Sequence, residues 1–348
     1  MDTKSNPKDS IKSTWRDSSR DDWNFYHFLI DFLDVYPVDR DREVPVHTKD
    51  EKVPYVPQWS LHRWVLFYSA IPLAIHQVYS SYTGRTLGPI AAFNWYFFAF
   101  NAIVIYEVRV IRRLGHRFGY LDGDKHERDG IPDVGVSKVV QALYKTTGSR
   151  LAMGVYLSYH ANQLPATMNW MWLPLEIGLY GIVLDFWFYW YHRAMHDVGF
   201  LWKFHRTHHL TKHPNPLLSA YADHEQEFFD MVGIPFLTYM TLKAFGLPMG
   251  FYEWWVCHQY IAFTEVLGHS GLRLHGNAPS TLGWLLDLLG ADIVIEDHDL
   301  HHRKGYRKSY NYGKQTRLWD RIFGTCHDRI ESAGDNIDYS NPAPMPLF

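Results

Sequence analysis

Apolar residues gather in five stretches, 61–82, 88–108, 171–191, 228–248 and 250–268, set between polar or proline-bearing segments. The first two are each long enough to cross a bilayer as a helix, and the break at Thr83-Gly84-Arg85 predicts a helical hairpin. The run 171–191 ends directly on His192, and the last two stretches form a second apolar pair that ends on His269. Residues 1 to about 58 are polar and mixed in charge; Pro37, Pro45, Pro54 and Pro57 interrupt any long helix, and no charged-then-apolar signal peptide is present. Residues 124–150 read as a polar connection, and the moderately apolar stretch around 151–180 is broken by Pro165 and Pro174. The pattern predicts an all-α, integral membrane helical bundle of about four or more spans, with a cytosolic histidine-rich metal-binding cap. The corresponding divisions are a polar cytosolic leader (1–58), a membrane hairpin and connecting region (59–170), a domain that carries the histidine clusters (171–330) and a polar tail (331–348).

Composition sharpens this picture in three places. Aromatic residues make up 17% of the chain, a proportion usual where rings sit at a membrane interface. The mean hydropathy of -0.27 averages local apolar runs with polar segments and does not oppose that reading. Arg109, Arg112, Arg113 and Arg117 follow the hairpin at once, and the positive-inside bias places that end, and the leader with it, in the cytosol. A net charge of -3 leaves no basic excess for a nucleic-acid surface. Cys257 and Cys326 lack a disulfide framework or zinc-ligand spacing, which predicts buried thiols in a reducing environment.

The chemistry lies in the histidines. Eight of 21 fall in three clusters, His192-x3-His196, His205-x2-His208-His209 and His298-x2-His301-His302. Residues three or four apart share a helix face, so each cluster aims several imidazoles at one place. Neutral imidazole suits zinc, copper, iron and nickel, and more than four histidines exceed what one tetrahedral zinc uses, which predicts a two-metal site with iron favoured. A zinc-dependent membrane hydrolase is the rival reading and predicts activity without O2 or reductant. A metal transporter would place ionisable groups inside the spans, whereas these histidines stand at or beyond the helix ends.

The residues around the clusters carry a resemblance. His192-Arg193-Ala194-Met195-His196, Lys203 to His209, Ala220-Tyr221-Ala222-Asp223-His224, Leu267-Gly268-His269-Ser270-Gly271, His298-Asp299-Leu300-His301-His302, Asn311-Tyr312-Gly313 and Trp319 to Thr325 together resemble the fatty acid hydroxylase/sterol desaturase superfamily over about residues 180–328. The segments at 269–271 and 298–302 are more similar to those of C-4 methylsterol oxidases and C-5 sterol desaturases than to those of acyl-lipid hydroxylases. The resemblance implies a non-haem di-iron oxidoreductase of the endoplasmic-reticulum membrane, its metal site facing the cytosol, that hydroxylates or desaturates a sterol or similar apolar lipid with O2. A fatty-acyl or specialised-metabolite hydroxylase of the same superfamily is the alternative. The leader lacks a haem-binding module, which implies cytochrome b5 and a reductase as separate electron donors.

Carried over by position, the resemblance makes His192, His196, His205, His208, His209, His298, His301 and His302 metal ligands, with His224 and His269 filling further places between the clusters. In relatives with HxxxH before the last cluster, the first histidine falls on Glu265 here, leaving open whether that carboxylate ligates metal or orients His269. His258 shares the helical face of Glu265 and His269 and stands as a further ligand candidate against a hydrogen-bonded default. Asp299, inside the last cluster, and Asp297, just before it, are candidates to accept the outward N–H of a ligating imidazole. Asp320 is expected in structural support; for Glu176 and Asp185, within apolar runs, contact with water or a partner helix competes with a functional role.

Overall fold

The computed structural model describes residues 9–348. Its helices are α1 (Phe25–Leu33), α2 (Gln58–Thr83), α3 (Pro89–Phe118), α4 (Val136–Ser158), α5 (Leu173–Asp197), α6 (Gly199–His205), α7 (His224–Phe228), α8 (Ile234–Ala244), α9 (Phe251–Gly268), α10 (Gly283–Leu288), α11 (Ile295–Lys304) and α12 (Leu318–Phe323). The expected helical class is met. Gly84, at φ +66°, ends α2 in a left-handed turn, and Pro89 opens α3 at a position where a missing N–H costs nothing, so the hairpin forms where the apolar runs break. Among the described residues α3 is the one helix long and apolar enough to cross a membrane by length and composition.

Helix α9 is the hub. Trp254, Trp255, Phe251 and Phe263 are almost wholly buried, and α2, α3, α4, α5 and α11 surround it. Gly154 lets α4 close on this helix, since a Cβ there would stand 2.4 Å from the Trp254 ring. The stretch 250–268 is therefore enclosed by protein on every side. The stretch 228–248 is not one uninterrupted helix either: a π-helical turn, Phe229–Gly233, joins α7 to α8 and rotates the side chains that follow.

One expectation needs correction. Part of the supposed polar connection is α4, whose buried Val136, Val139, Ala142 and Thr146 recur at helical spacing among the polar residues. The leader and tail pack onto the helices. Strand β1 (Val53–Tyr55) pairs in parallel with β2 (Ile337–Pro342), Trp15 and Ile30 are buried, Asp133 accepts from the Thr14 and Trp15 amides, and Met345 is 1% exposed. Cys257 is a buried free thiol, as expected of both cysteines, whereas Cys326 is only half-buried.

This packing brings three helix ends to one side. The turn after α3 meets the turn after α9, with the Leu121 amide donating to the Gly271 carbonyl at 2.8 Å. Arg128 crosses the same junction to Asp299 of α11 at 2.7 Å.

Candidate metal centre

The clusters are delivered by different elements that end together. His192 and His196 occupy the last turns of α5, His205 ends α6, His208 and His209 form a 3-10 turn, His269 caps α9, and α11 carries His298, His301 and His302. Nine buried imidazoles meet in two adjoining groups. His192, His196, His205, His209 and His301 form one; His208, His269, His298 and His302 form the other; within each, the nitrogens lie within 4.8 Å of one another. The sequence neighbours His208/His209 and His301/His302 each divide between the groups, because successive helical residues point about 100° apart. Each pair thereby ties the two groups together: the His208 and His209 ring centroids are 5.7 Å apart, those of His301 and His302 5.6 Å.

The hydrogen bonds around the rings show what belongs between them. Carbonyl oxygens face Nδ1 of His192 (Tyr312, 2.7 Å), His196 (Arg307, 3.2 Å), His301 (Tyr310, 2.7 Å), His302 (Thr211, 3.2 Å) and His269 (Glu265, 2.8 Å). A carbonyl only accepts, so each of these Nδ1 atoms carries the proton and each Nε2 of the neutral ring is a bare lone pair. The Gln226 amide oxygen fixes His205 the same way at 3.0 Å. Yet Nε2 of His192 lies 2.9 Å from Nε2 of His205, both tautomers being fixed by their acceptors, while Nε2 of His196 and His302 have no partner. Lone pairs that converge at this distance repel unless a cation stands among them. The donor set therefore fits metal ions, five nitrogens for one and four for another, and oriented Nδ1–H groups are what ligating histidines require.

Burial pushes the pKa values of His205, His208, His209, His298, His301 and His302 well below the usual imidazole range, and neighbouring imidazoles push them further. They stay neutral, as ligands must. The sign of the pH effect follows: in the unfolded chain these rings take protons below about pH 6.5, while the folded ones refuse them, so stability present above that value is lost as pH falls. Metal-free protein is expected to show a falling melting temperature from about pH 7 to pH 5; a flat profile over that window overturns the buried-neutral assignment.

The trailing segments are the scaffold of this centre. Asn311 adopts φ +51°, its amide holds the Asp297 carbonyl, Tyr312 presents its carbonyl to His192, and a Cβ on Gly313 would meet the Thr316 carbonyl oxygen at 2.3 Å. Asp320 accepts from the Tyr312 and Gly313 amides at 2.8 Å each, which is the structural support expected of it. Asp185 accepts from the Lys314, Gln315 and Thr316 amides at 2.8–3.1 Å, so this buried carboxylate holds the same loop from α5. Glu176 accepts from the Met249 amide at 2.6 Å, a helix-to-loop tie away from the imidazoles.

Other expected residues lie elsewhere. His224 is exposed and faces Glu227 at 3.5 Å, outside both groups; it opens α7, and its side chain points away from the centre. Glu265 orients rather than joins a group: its carbonyl holds His269 Nδ1, and its carboxylate pairs with Lys314 at 3.1 Å. Lys314 also pairs with Asp230 of the π turn at 2.6 Å. His258 stacks between Phe100 and Trp254, ring centroids 4.7 and 5.1 Å away, two turns of α9 before Glu265. Asp299 pairs with Arg128 and with Arg303 at 3.1 Å, and Asp297 with Arg329 at 2.8 Å, so neither touches an imidazole. Backbone carbonyls and Gln226 take the role assigned to them. His126, Asp129 and His213 form a further half-exposed cluster, but Asp129 is occupied in accepting the Lys212 and His213 amides, which staples a loop.

A cavity of about 490 Å³ opens among α1, α3, α4 and α9, and none of the clustered imidazoles lines it. Ile30, Phe97, Val108, Val140 and Leu143 make most of its wall apolar, and Glu265, one turn before His269, lies on its inner wall.

The fatty acid hydroxylase family model matches residues 177–325. Fatty acid hydroxylase vlmA of Lecanicillium sp is 47% identical over 309 residues, 85% of this chain and 84% of that protein. An alkylglycerol monooxygenase of Xenopus tropicalis is 27% identical over 185 residues, 51% of this chain and 36% of the relative. Methylsterol monooxygenase 2-2 of Arabidopsis thaliana is 33% identical over 192 residues, 54% of this chain and 64% of the relative. No solved structure matches the chain.

Proposed function

The chain belongs to the fatty acid hydroxylase family and is an oxidoreductase, and from that premise we propose a membrane di-iron oxygenase that oxidises an unactivated C–H bond of an acyl or comparably apolar lipid. The observation that carries this reading is the pair of converging imidazole groups, with an apolar cavity lined by Glu265, one turn of α9 before His269. His192, His196, His205, His209 and His301 would hold one iron, and His208, His269, His298 and His302 the other. When bound, such a pair supplies O2-dependent C–H oxidation: O2, two electrons and two protons convert C–H to C–OH and release water, and desaturation removes a second hydrogen instead. The protein's own part is to position the reacting carbon and exclude water, which the apolar wall does, and to lock each imidazole tautomer through a carbonyl.

An acyl substrate is favoured over the sterol that the 269–271 and 298–302 segments favour. The relative named a fatty acid hydroxylase matches over 85% of this chain, so the likeness extends beyond 177–325 into the helices that wall the cavity.

Membrane insertion rests on α3 and on the unpartnered apolar side chains along other helices: Leu66, Phe67, Ile71 and Val78 of α2, Leu175 and Trp190 of α5, and Phe236 and Met240 of α8 are all exposed. A multi-pass arrangement in the endoplasmic-reticulum membrane buries them. Arg109 and Arg112 tie the leader to the end of α3, through the Leu33 carbonyl and Asp34, which keeps the leader, this helix end and the imidazoles on one side, the cytosolic side by the positive-inside bias. That face is open to cytochrome b5 and a reductase as electron donors.

Full-length protein loaded with Fe(II) and supplied with reductase, cytochrome b5, a long-chain lipid and labelled O2 is expected to give a hydroxylated product carrying the label, or a desaturated one, in proportion to O2 consumed. Turnover that persists without O2 or reductant, with zinc in place of iron, overturns the reading in favour of a hydrolase.

A further inference from the structure

One cation in the cavity has no ion-pair partner within 4 Å among the described residues. Arg150 of α4 lines the chamber and is only 5% exposed, yet its Nε and Nη2 have no hydrogen-bond partner. Its remaining nitrogen, Nη1, reaches only the Met231 sulfur at 3.8 Å. The nearby carboxylates, Asp230 and Glu265, pair directly with Lys314 and act on Arg150 only at longer range. The Tyr180 hydroxyl adjoins the guanidinium without settling into a hydrogen bond and is itself unpartnered. Hydrogen bonds left unmade on a buried guanidinium carry a cost that a ligand accepting them would offset.

The pattern of bare atoms says which anion. Nε and Nη2 share one edge of the planar guanidinium, and that edge presents two parallel N–H groups at the spacing of the two oxygens of a carboxylate. On the proposed oxygenase reading, we infer that Arg150 anchors the carboxylate of a free fatty acid whose chain lies along the apolar wall of the cavity.

The packing also sets which end of the chain the protein measures from. Gly154 abuts Trp254 and Tyr159 lies 5.1 Å from Phe251, so α4 runs antiparallel to α9 and Arg150 falls near the level of His258. From His258 to Glu265 is seven residues, about 10 Å of helix at 1.5 Å per residue. A carboxylate fixed at Arg150 therefore places a carbon several bonds down the chain at the level of Glu265, one turn before His269, and on this inference the oxidised position is counted from the carboxyl carbon, not from the methyl end.

The test is equilibrium binding of hexadecanoic acid and its methyl ester to the full chain in lipid nanodiscs, followed by product mapping for acids of different length. Wild-type protein is expected to prefer acid over ester by at least about 30-fold, the scale of a buried, hydrogen-bonded charge pair. Arg150→Met loses that preference while keeping its affinity for the ester, which shows the cavity intact; Arg150→Lys, with charge but no fork, keeps part of it. Products from acids of different length share one position relative to the carboxyl carbon in wild type and scatter in Arg150→Met. Equal binding of acid and ester by wild type, or an Arg150→Met variant that weakens both equally, overturns the anchor, as does tighter binding of hexadecyl phosphate than of the acid. If lipid oxidation proceeds in that case, the oxygenase reading survives; acid-selective binding with no O2-dependent turnover is the reverse failure.

Discussion

Alanine at His301 and alanine at His302 should empty different halves of the centre. The two residues are adjacent in sequence, yet His301 faces the group of five and His302 the group of four. Each variant is expected to retain metal at one group and lose it at the other, with turnover down by about three orders of magnitude or more, as when one member of a cooperating catalytic unit is removed. On the proposed di-iron reading, metal analysis with Mössbauer spectroscopy separates the outcomes, since the ion left in His301→Ala would keep a four-nitrogen environment and that in His302→Ala a five-nitrogen one. His224→Ala supplies the contrast: its ring is exposed and beyond both groups, so iron content and turnover stay at the wild-type level. Loss of all metal in every variant, His224→Ala included, would overturn the two-group assignment.

The contrast between His302 and His224 shows what the sequence makes legible. Histidines at three- and four-residue spacing announce themselves because a shared metal demands a shared helix face, and nine of the ten expected residues do meet. His224 has no partner at that spacing, and its position at the start of α7 turns it outward. The groups that hold the outward nitrogens are mostly backbone carbonyls, of Tyr312, Arg307, Tyr310, Thr211 and Glu265, and a carbonyl leaves no mark on composition. Gln226 was hidden for a related reason: nothing separates a polar residue that orients His205 from one that faces water. Asp299 misled because adjacency in sequence is not adjacency in direction; one step along α11 turns a side chain by about 100°, toward Arg128 and away from the rings. The apolar runs located the long helices, but the burial of α9 on all sides and the pairing of β1 with β2 depend on contacts between distant segments that no local period records.

The loop at 312–316 makes the second large effect predictable. It is held from below by Asp185, which accepts from the Lys314, Gln315 and Thr316 amides and from the Thr316 hydroxyl at 2.9 Å, and from the side by Asp320. Asp185→Ala leaves those buried donors without acceptors, and at about 1–3 kcal/mol for each unsatisfied group the loss should reach about 4 kcal/mol or more. A fall in melting temperature on the order of 10 °C corresponds to that loss. Asp185→Asn keeps one oxygen but sets an NH2 against amide donors, so it should fall between wild type and alanine. The functional consequence passes through Tyr312: once the loop is released, its carbonyl no longer fixes the His192 tautomer, and metal affinity should drop about 10- to 100-fold, the usual effect of losing a ligand's orienting partner. Thermal unfolding and metal titration of the two variants give the order directly. If Asp185→Ala melts and binds metal like wild type, the carboxylate is not what holds the loop, and the link from the interior of α5 to the imidazole cage is wrong.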